Sequence, residues 1–270
     1  MESQTPPLLT VEHLTLSLNA EVKIHDLSFT LHAGERLCLL GASGSGKSLT
    51  AAAILGTLPV GATVSGSIRL QGREVNGLRL QRRKNTELAA IFQDPFTSLN
   101  SLTTVGQQLT LALRSQNALT KCQAQHCAVE LLTALGMSAD NVMPRYPGQL
   151  SGGQCQRICA AALALLGEKS LLIADEPTTA LDMVSQHQLI DILKSYTERP
   201  SAPALLFITH DLAVAAGLCQ RAIVLVNGEI AEQGSFARLL QHPQHPYTQQ
   251  LVASAQRPAF NRPPSLSLAG

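Results

Sequence analysis

Short runs of aliphatic and β-branched residues alternate along this chain with longer stretches of helical periodicity, the pattern of an α/β domain. Residues 22–31 alternate apolar and polar and predict a strand with one buried face, and residues 36–40 predict a buried strand. A helix is predicted from 47 to about 56, and further strands at 67–71 and 88–92. From about residue 94 to 167 the strand signal disappears, and helical stretches follow at 104–114, 121–135 and 152–166. This block reads as a helical insertion. Alternation resumes with strand 171–175, helix 184–198 and strand 204–209, then a short helix near Leu212. Two last runs, 222–226 and 229–233, meet at Asn227 and Gly228, a dipeptide that favours the type I′ turn of a hairpin. Residues 1–256 thus read as one domain, and 257–270, rich in proline and serine, as a loosely ordered tail.

Composition removes several classes. Hydrophobic residues make up 45% of the 270 and charged residues 14%, with mean hydropathy +0.11, against about 25% charged in an average soluble domain. Such a chain is too apolar to be disordered. With 20 Lys+Arg against 19 Asp+Glu it lacks the basic excess of a polyanion binder, so nucleic acid is not an expected partner. The longest uncharged apolar run, 158–166, is about half of what crosses a bilayer. Residues 1–10 carry Glu2 and two prolines and show no signal-peptide pattern. The expectation is a soluble, intracellular protein with a lightly charged surface. The six cysteines show no zinc spacing and read as reduced thiols that behave as small hydrophobes. His242 and His245, flanked by prolines, read as a turn rather than a metal site.

The chemistry starts at Gly41, Ala42, Ser43, Gly44, Ser45, Gly46, Lys47 and Ser48, which fit the P-loop pattern between a predicted strand and a predicted helix. Glycines there let backbone N–H groups turn toward phosphate oxygens, and the helix N-terminus adds partial positive charge. Lys47 is expected to reach the β- and γ-phosphates of a nucleotide and Ser48 to ligate Mg²⁺. A second element is the apolar strand ending in Asp175 and Glu176. It puts Asp175 at the carboxyl edge of a sheet, suited to the Mg²⁺ shell, and Glu176 one residue on, suited to polarising a water for attack on the γ-phosphate. Together these elements imply a nucleoside triphosphatase or a kinase.

Leu150, Ser151, Gly152, Gly153 and Gln154 narrow the choice, because they spell LSGGQ and resemble the signature of ATP-binding-cassette (ABC) ATPases. The resemblance extends to other landmarks. Gln93 is similar to the Q-loop glutamine that joins the Mg²⁺ shell and links nucleotide state to a transmembrane partner. Residues 178–182, ending in Asp182, resemble the D-loop, and His210 in FITHD resembles the switch histidine that senses the γ-phosphate. The implied fold is a P-loop NTPase core (RecA-like) with an antiparallel β subdomain and an inserted α-helical subdomain. The implied site holds ATP against residues 41–48, Leu49 and a first-strand side chain. Ser151, Gly152, Gly153, Gln154 and Asp182 meet the nucleotide of a facing subunit. Where many ABC ATPases stack adenine on an aromatic, this chain has Leu18. An aliphatic cover lacks a stacking contribution of roughly 1–3 kcal/mol, so weak base selectivity is expected.

The strings IFQDPFTSLN at 91–100, TVGQ at 104–107 and HPYTQQLVAS at 245–254 resemble the oligopeptide/dipeptide/nickel importer branch. GKSLT at 46–50 and LGTLP at 55–59 look closest to nickel-import ATPases, with di- or oligopeptides as the alternative solute. The resemblance implies a peripheral protein on the cytoplasmic face of the bacterial inner membrane. Its implied partners are a second, related ATPase chain, two transmembrane permease subunits and a solute-binding protein. A soluble cassette working on ribosomes or DNA usually carries two cassettes or a long coiled coil, and neither is visible. A P-loop kinase leaves 150–154 unexplained.

Overall fold

The computed structural model describes residues 6–75, 88–94, 98–117, 119–165, 169–179 and 181–256. Ala180, the start and end of parts of the expected insertion (95–97 and 166–168) and the expected tail 257–270 lie outside the described residues. Strands Leu9–Leu18 (β1), Glu21–Leu31 (β2), Ala62–Leu70 (β4) and Arg73–Glu74 (β5) form an antiparallel sheet in the order β2-β1-β4-β5. Strands Arg36–Gly41 (β3), Leu88–Ile91 (β6), Leu171–Asp175 (β7), Ala204–Thr209 (β8), Arg221–Val226 (β9) and Glu229–Ser235 (β10) form the second sheet, ordered β10-β9-β3-β8-β7-β6. Its pairings are parallel except for the β9–β10 hairpin.

The apolar runs explain this layering. On β3, Leu37 and Leu39 enter one core, and Cys38 and Leu40 enter another on the opposite face. β7 and β8 repeat the division: Leu171, Ile173, Leu206 and Ile208 lie on the first side, and Leu172, Ala174, Leu205 and Phe207 on the second. Side chains alternate across a strand, so a strand covered on both faces must be apolar throughout. The first core is closed by β1, β2 and helix Lys47–Leu55 (α1). The second is closed by helices Met183–Thr197 (α6), Leu212–Ala216 (α7), Phe236–Gln241 (α8) and Pro246–Ala255 (α9).

Between β6 and β7 lie helices Val105–Asn117 (α2), Lys121–Ala134 (α3), Ala139–Val142 (α4) and Gly152–Leu165 (α5), with a core of their own around Leu109, Leu132, Cys155 and Ile158. The helical insertion therefore folds around separate apolar contacts. Among the described residues no helix is long and apolar enough to cross a membrane. None of the six cysteines forms a disulfide; burial pushes the Cys155 thiol up to about 11, and burial with the neighbouring Cys155 pushes Cys159 up to about 12.

Two differences from the sequence reading have clear causes. β4 begins at Ala62, five residues before the expected start at 67, because residues 63–65 are exposed and held by the backbone ladder to β1 rather than by burial. Such a strand leaves no period-2 signal. Helices α8 and α9 were not anticipated, and α9 starts where a turn was expected. His245 is its N-cap, its Nδ1 accepting from Tyr247 N–H at 3.2 Å.

The hairpin turn packs against the loop between β3 and α1. Asn227 and Gly228 both have left-handed φ, at 51° and 82°, as a type I′ turn requires. Gly228 N–H donates to Ser45 O, and Gly228 O accepts from His25 N–H. A Cβ at Gly228 would stand 2.3 Å from Lys23 O. Gly228→Ala is therefore expected to destabilise the protein by at least about 1–3 kcal/mol, read as a lower midpoint in chemical denaturation; an unchanged midpoint would show that the turn relaxes freely.

Candidate active site

Three chain segments converge at the carboxyl edge of the parallel strands. The first is the loop from β3 to α1. Gly44 and Gly46 take φ of 80° and 100°, values that L side chains resist. A Cβ on Gly41 would lie 2.4 Å from Ser45 Oγ and 2.5 Å from Leu225 O. The loop thus closes over Lys47, whose Nζ donates to Gly41 O and Ala42 O at 2.9 Å each and lies 3.5 Å from Glu176 Oε1. Ser48, next on α1, donates its hydroxyl to Asp175 Oδ1 at 3.0 Å.

The second segment is the end of β7. Glu176 N–H still bonds Ile208 O of β8, but Glu176 itself adopts φ 47°. A non-glycine residue held there stores strain, a recurring feature of functional sites. The third segment follows β8 and carries His210, whose Nδ1 lies 2.9 Å from Glu176 Oε2. An ionised carboxylate only accepts, so Nδ1 carries the proton in this contact. Thr179 Oγ1 donates to the same oxygen.

These contacts separate the two acids electrostatically. Burial pushes the Asp175 carboxyl up, and the Glu176 charge adds to this; the Ser48 hydroxyl and Lys47 only partly offset them. Burial also pushes Glu176 up, but hydrogen bonds from Thr179 and His210 and the charges of His210 and Lys47 outweigh it and hold Glu176 below its ordinary value. Glu176 is thus kept ionised. The oxygen pair of Ser48 and Asp175 suits a hard divalent cation; Ser48 and Gln93 both line the adjoining pocket, and Asp175 sits behind its lining.

A pocket of about 590 Å³ opens over these groups, lined by Ala42, Ser43, Gly44, Gly46, Lys47, Ser48, Leu49, Gln93, Glu176, Thr179 and His210, and by Tyr247 and Leu251 of α9. Other expected residues lie apart from it. Leu18, at the end of β1, is half-buried against the first core. Ser45 is buried in the loop, its Oγ without a partner. Ser151 and Gln154 bond each other's backbone N–H at the start of α5. Asp182 caps α6, its carboxylate accepting from Ser185 N–H and Oγ. A Cβ on Gly153 would stand 2.9 Å from that Ser185 Oγ, so α5 and α6 meet closely there. The sequence places Thr179 only within the D-loop resemblance, with no contact to Glu176, and gives no site role to Tyr247 or Leu251. The HPYT string held the only signal for Tyr247, and it was read as a branch likeness.

The family model for ABC transporters matches residues 24–179, which include the P-loop, Gln93, Ser151–Gln154 and both acids. The chain belongs to the ABC transporter ATPase family. This cassette is 38% identical over 264 residues to the Escherichia coli oligopeptide transport ATP-binding protein OppD, covering 95% of this chain and 78% of the relative. It is 40% identical over 261 residues to the probable D,D-dipeptide transport ATP-binding protein DdpD of Escherichia coli, covering 93% and 79%. Among solved structures it superposes on the ATP-binding cassette MJ0796, a dimer in a post-hydrolysis state bound to ADP and Pi. The TM-score is 0.72 at 25% identity, over 84% of this chain and 98% of that one. The cassette binds and hydrolyses ATP, as the ATPase subunit of an ABC importer of the OppD and DdpD type.

A pH consequence follows from the Glu176 contacts. Its folded value lies below the unfolded one, so the ionised carboxylate contributes stability above the unfolded value, lost as pH falls through the folded value. Thr179→Ala removes a donor to the charged form and is expected to raise that value. With Glu176 as the expected base, the acidic limb of kcat/KM for ATP then moves to higher pH. An unmoved limb would mean that Thr179 does not set the charge of Glu176.

Proposed function

We propose that this ATPase energises the uptake of di- or oligopeptides. The observation that carries the reading is the 38–40% identity, along nearly the whole chain, to oligopeptide and D,D-dipeptide transport proteins. Nickel, favoured by residues 46–59 in the sequence reading, gains no support from these relatives, and its peptide alternative does.

In the proposed cycle the P-loop backbone from Gly41 to Gly46 cradles the phosphates, with Leu49 beside it, and Leu18 covers the base. Lys47 exchanges its carbonyl partners for β- and γ-phosphate oxygens and offsets charge developing on the transferred group. Ser48, Asp175 and Gln93 would hold Mg²⁺, which supplies Lewis-acid stabilisation of phosphate charge when bound. Glu176, ionised and anchored by Thr179, accepts a proton from the attacking water. His210 orients Glu176 and faces the γ-phosphate end of the pocket.

Ser151, Gly152, Gly153 and Gln154, outside this chain's own pocket, are proposed to meet the nucleotide of a second, related cassette, with Asp182 at the same junction. Gln93 and the helical subdomain pass closure and opening to two permease subunits, and a separate binding protein delivers the solute. The proposed location is the cytoplasmic face of the inner membrane.

The test uses Glu176→Gln in the assembled transporter. Turnover is expected to fall by about 10²–10⁴ with ATP binding retained, and uptake of a labelled tripeptide to fall to background in cells carrying it. Near-normal hydrolysis would remove Glu176 from its role. Normal peptide uptake with lost nickel uptake would transfer the solute assignment to nickel.

A further inference from the structure

One wall of the pocket comes from outside the nucleotide motifs. Tyr247 and Leu251 stand one helical turn apart on α9, both half-buried, and line the pocket together with His210, Glu176 and Thr179. Thr248 and Val252, the next residues along, are buried against the protein body. α9 therefore lies with one stripe in the core and the neighbouring stripe at the pocket rim.

The helix is clamped. Glu232 of β10 accepts from the backbone N–H of Gln244 at 3.0 Å and of His245 at 2.9 Å, just ahead of the first turn of α9. Burial alone would push the Glu232 carboxyl up, but the backbone hydrogen bonds from His245 and Gln244, with the nearby Arg238 charge, hold it below its ordinary value, so the clamp stays charged. α9 also packs against α7, which begins at Leu212, two residues after His210. A carboxylate on the edge strand thus fixes a helix that abuts the His210 loop.

His210 needs such a boundary. Its side chain is 55% exposed, yet its Nδ1 stays 2.9 Å from Glu176 Oε2. A half-exposed imidazole with one hydrogen bond has other staggered rotamers open to it, and leaving the present one breaks the contact with Glu176. Bulk water reaching the pair would also weaken it by screening.

We infer that Tyr247 is a positioning residue of the ATPase site: its ring, backed by Leu251, confines His210 and shields the Glu176–His210 pair on the α9 side. This rests on the reading of the pocket as the ATP site. Tyr247 acts through His210 and takes no part in bond making. The HPYT segment, set apart from the nucleotide motifs by sequence, thereby becomes part of the catalytic end.

The experiment compares steady-state ATP turnover of the assembled transporter with Tyr247→Ala, Tyr247→Phe and Glu232→Gln. Tyr247→Ala is expected to lower kcat about tenfold with KM for ATP changed less than about twofold, the split expected when orientation rather than ATP binding is lost. Tyr247→Phe keeps the ring and recovers most of the rate. Glu232→Gln, remote from the pocket, loosens α9 and lowers kcat in the same direction. A Tyr247→Ala protein with unchanged kcat, even if it melts earlier, would overturn the inference, as would a Tyr247→Phe loss as large as that of Tyr247→Ala. Glu176→Gln and His210→Ala in the same assay keep the two readings apart. If both still turn over ATP, the pocket reading fails; if both are inactive and Tyr247→Ala is not, only the wall fails.

Discussion

The Lys47 side chain is 4% exposed, and an ammonium taken out of water costs several kcal/mol unless oxygens replace its hydration. Gly41 O, Ala42 O and Glu176 Oε1 replace it here. Much of the site follows from that demand. The β3–α1 loop must turn its carbonyls inward, which requires close packing at Gly41 and left-handed backbone at Gly44 and Gly46. Glu176 must remain charged, which Thr179 and His210 secure. A polyphosphate entering the loop supplies the same oxygens in larger number, so the packing that stabilises the lysine also prepares an anion site.

The low charge of the chain has its counterpart in three separate cores. β3, β7 and β8 give no face to solvent, so their residues contribute to the apolar fraction without a charged opposite side. The helical subdomain adds a third core within the same chain. Exposed large apolar side chains remain at a few positions, among them Leu102, Leu111, Met183 and Val184, the last two directly after Asp182.

Side chains of α5 tie the helical subdomain to the second sheet and to α6. Gln156 on α5 is 1% exposed and donates to Phe92 O, immediately before Gln93. Arg157, its neighbour, bonds Gln188 of α6 and the carbonyl oxygens of Gly153 and Leu135. The helix that begins at Gly152 is thus tied both to the strand end that leads into Gln93 and to the helix that Asp182 caps. These side-chain hydrogen bonds join the three segments directly, in addition to the loops between them.

Local chemistry made much of this legible in the sequence. Continuous apolar runs marked β7 and β8 to the residue, Asn227 and Gly228 marked the hairpin, and the glycine spacing around Lys47 marked the phosphate loop, because each depends on neighbours a few positions away. β4 was legible only in part, since its first half is held by backbone pairing that leaves no side-chain pattern. The sequence by itself determined the fold class, the family and the residue types gathered at the nucleotide end. Tertiary structure alone decided that Thr179 and His210 share one oxygen of Glu176 and that α9, some 70 residues beyond Glu176 in the chain, closes the pocket beside them. Those contacts join segments through the sheet edge and the core, and no local pattern records which segments a folded sheet brings side by side.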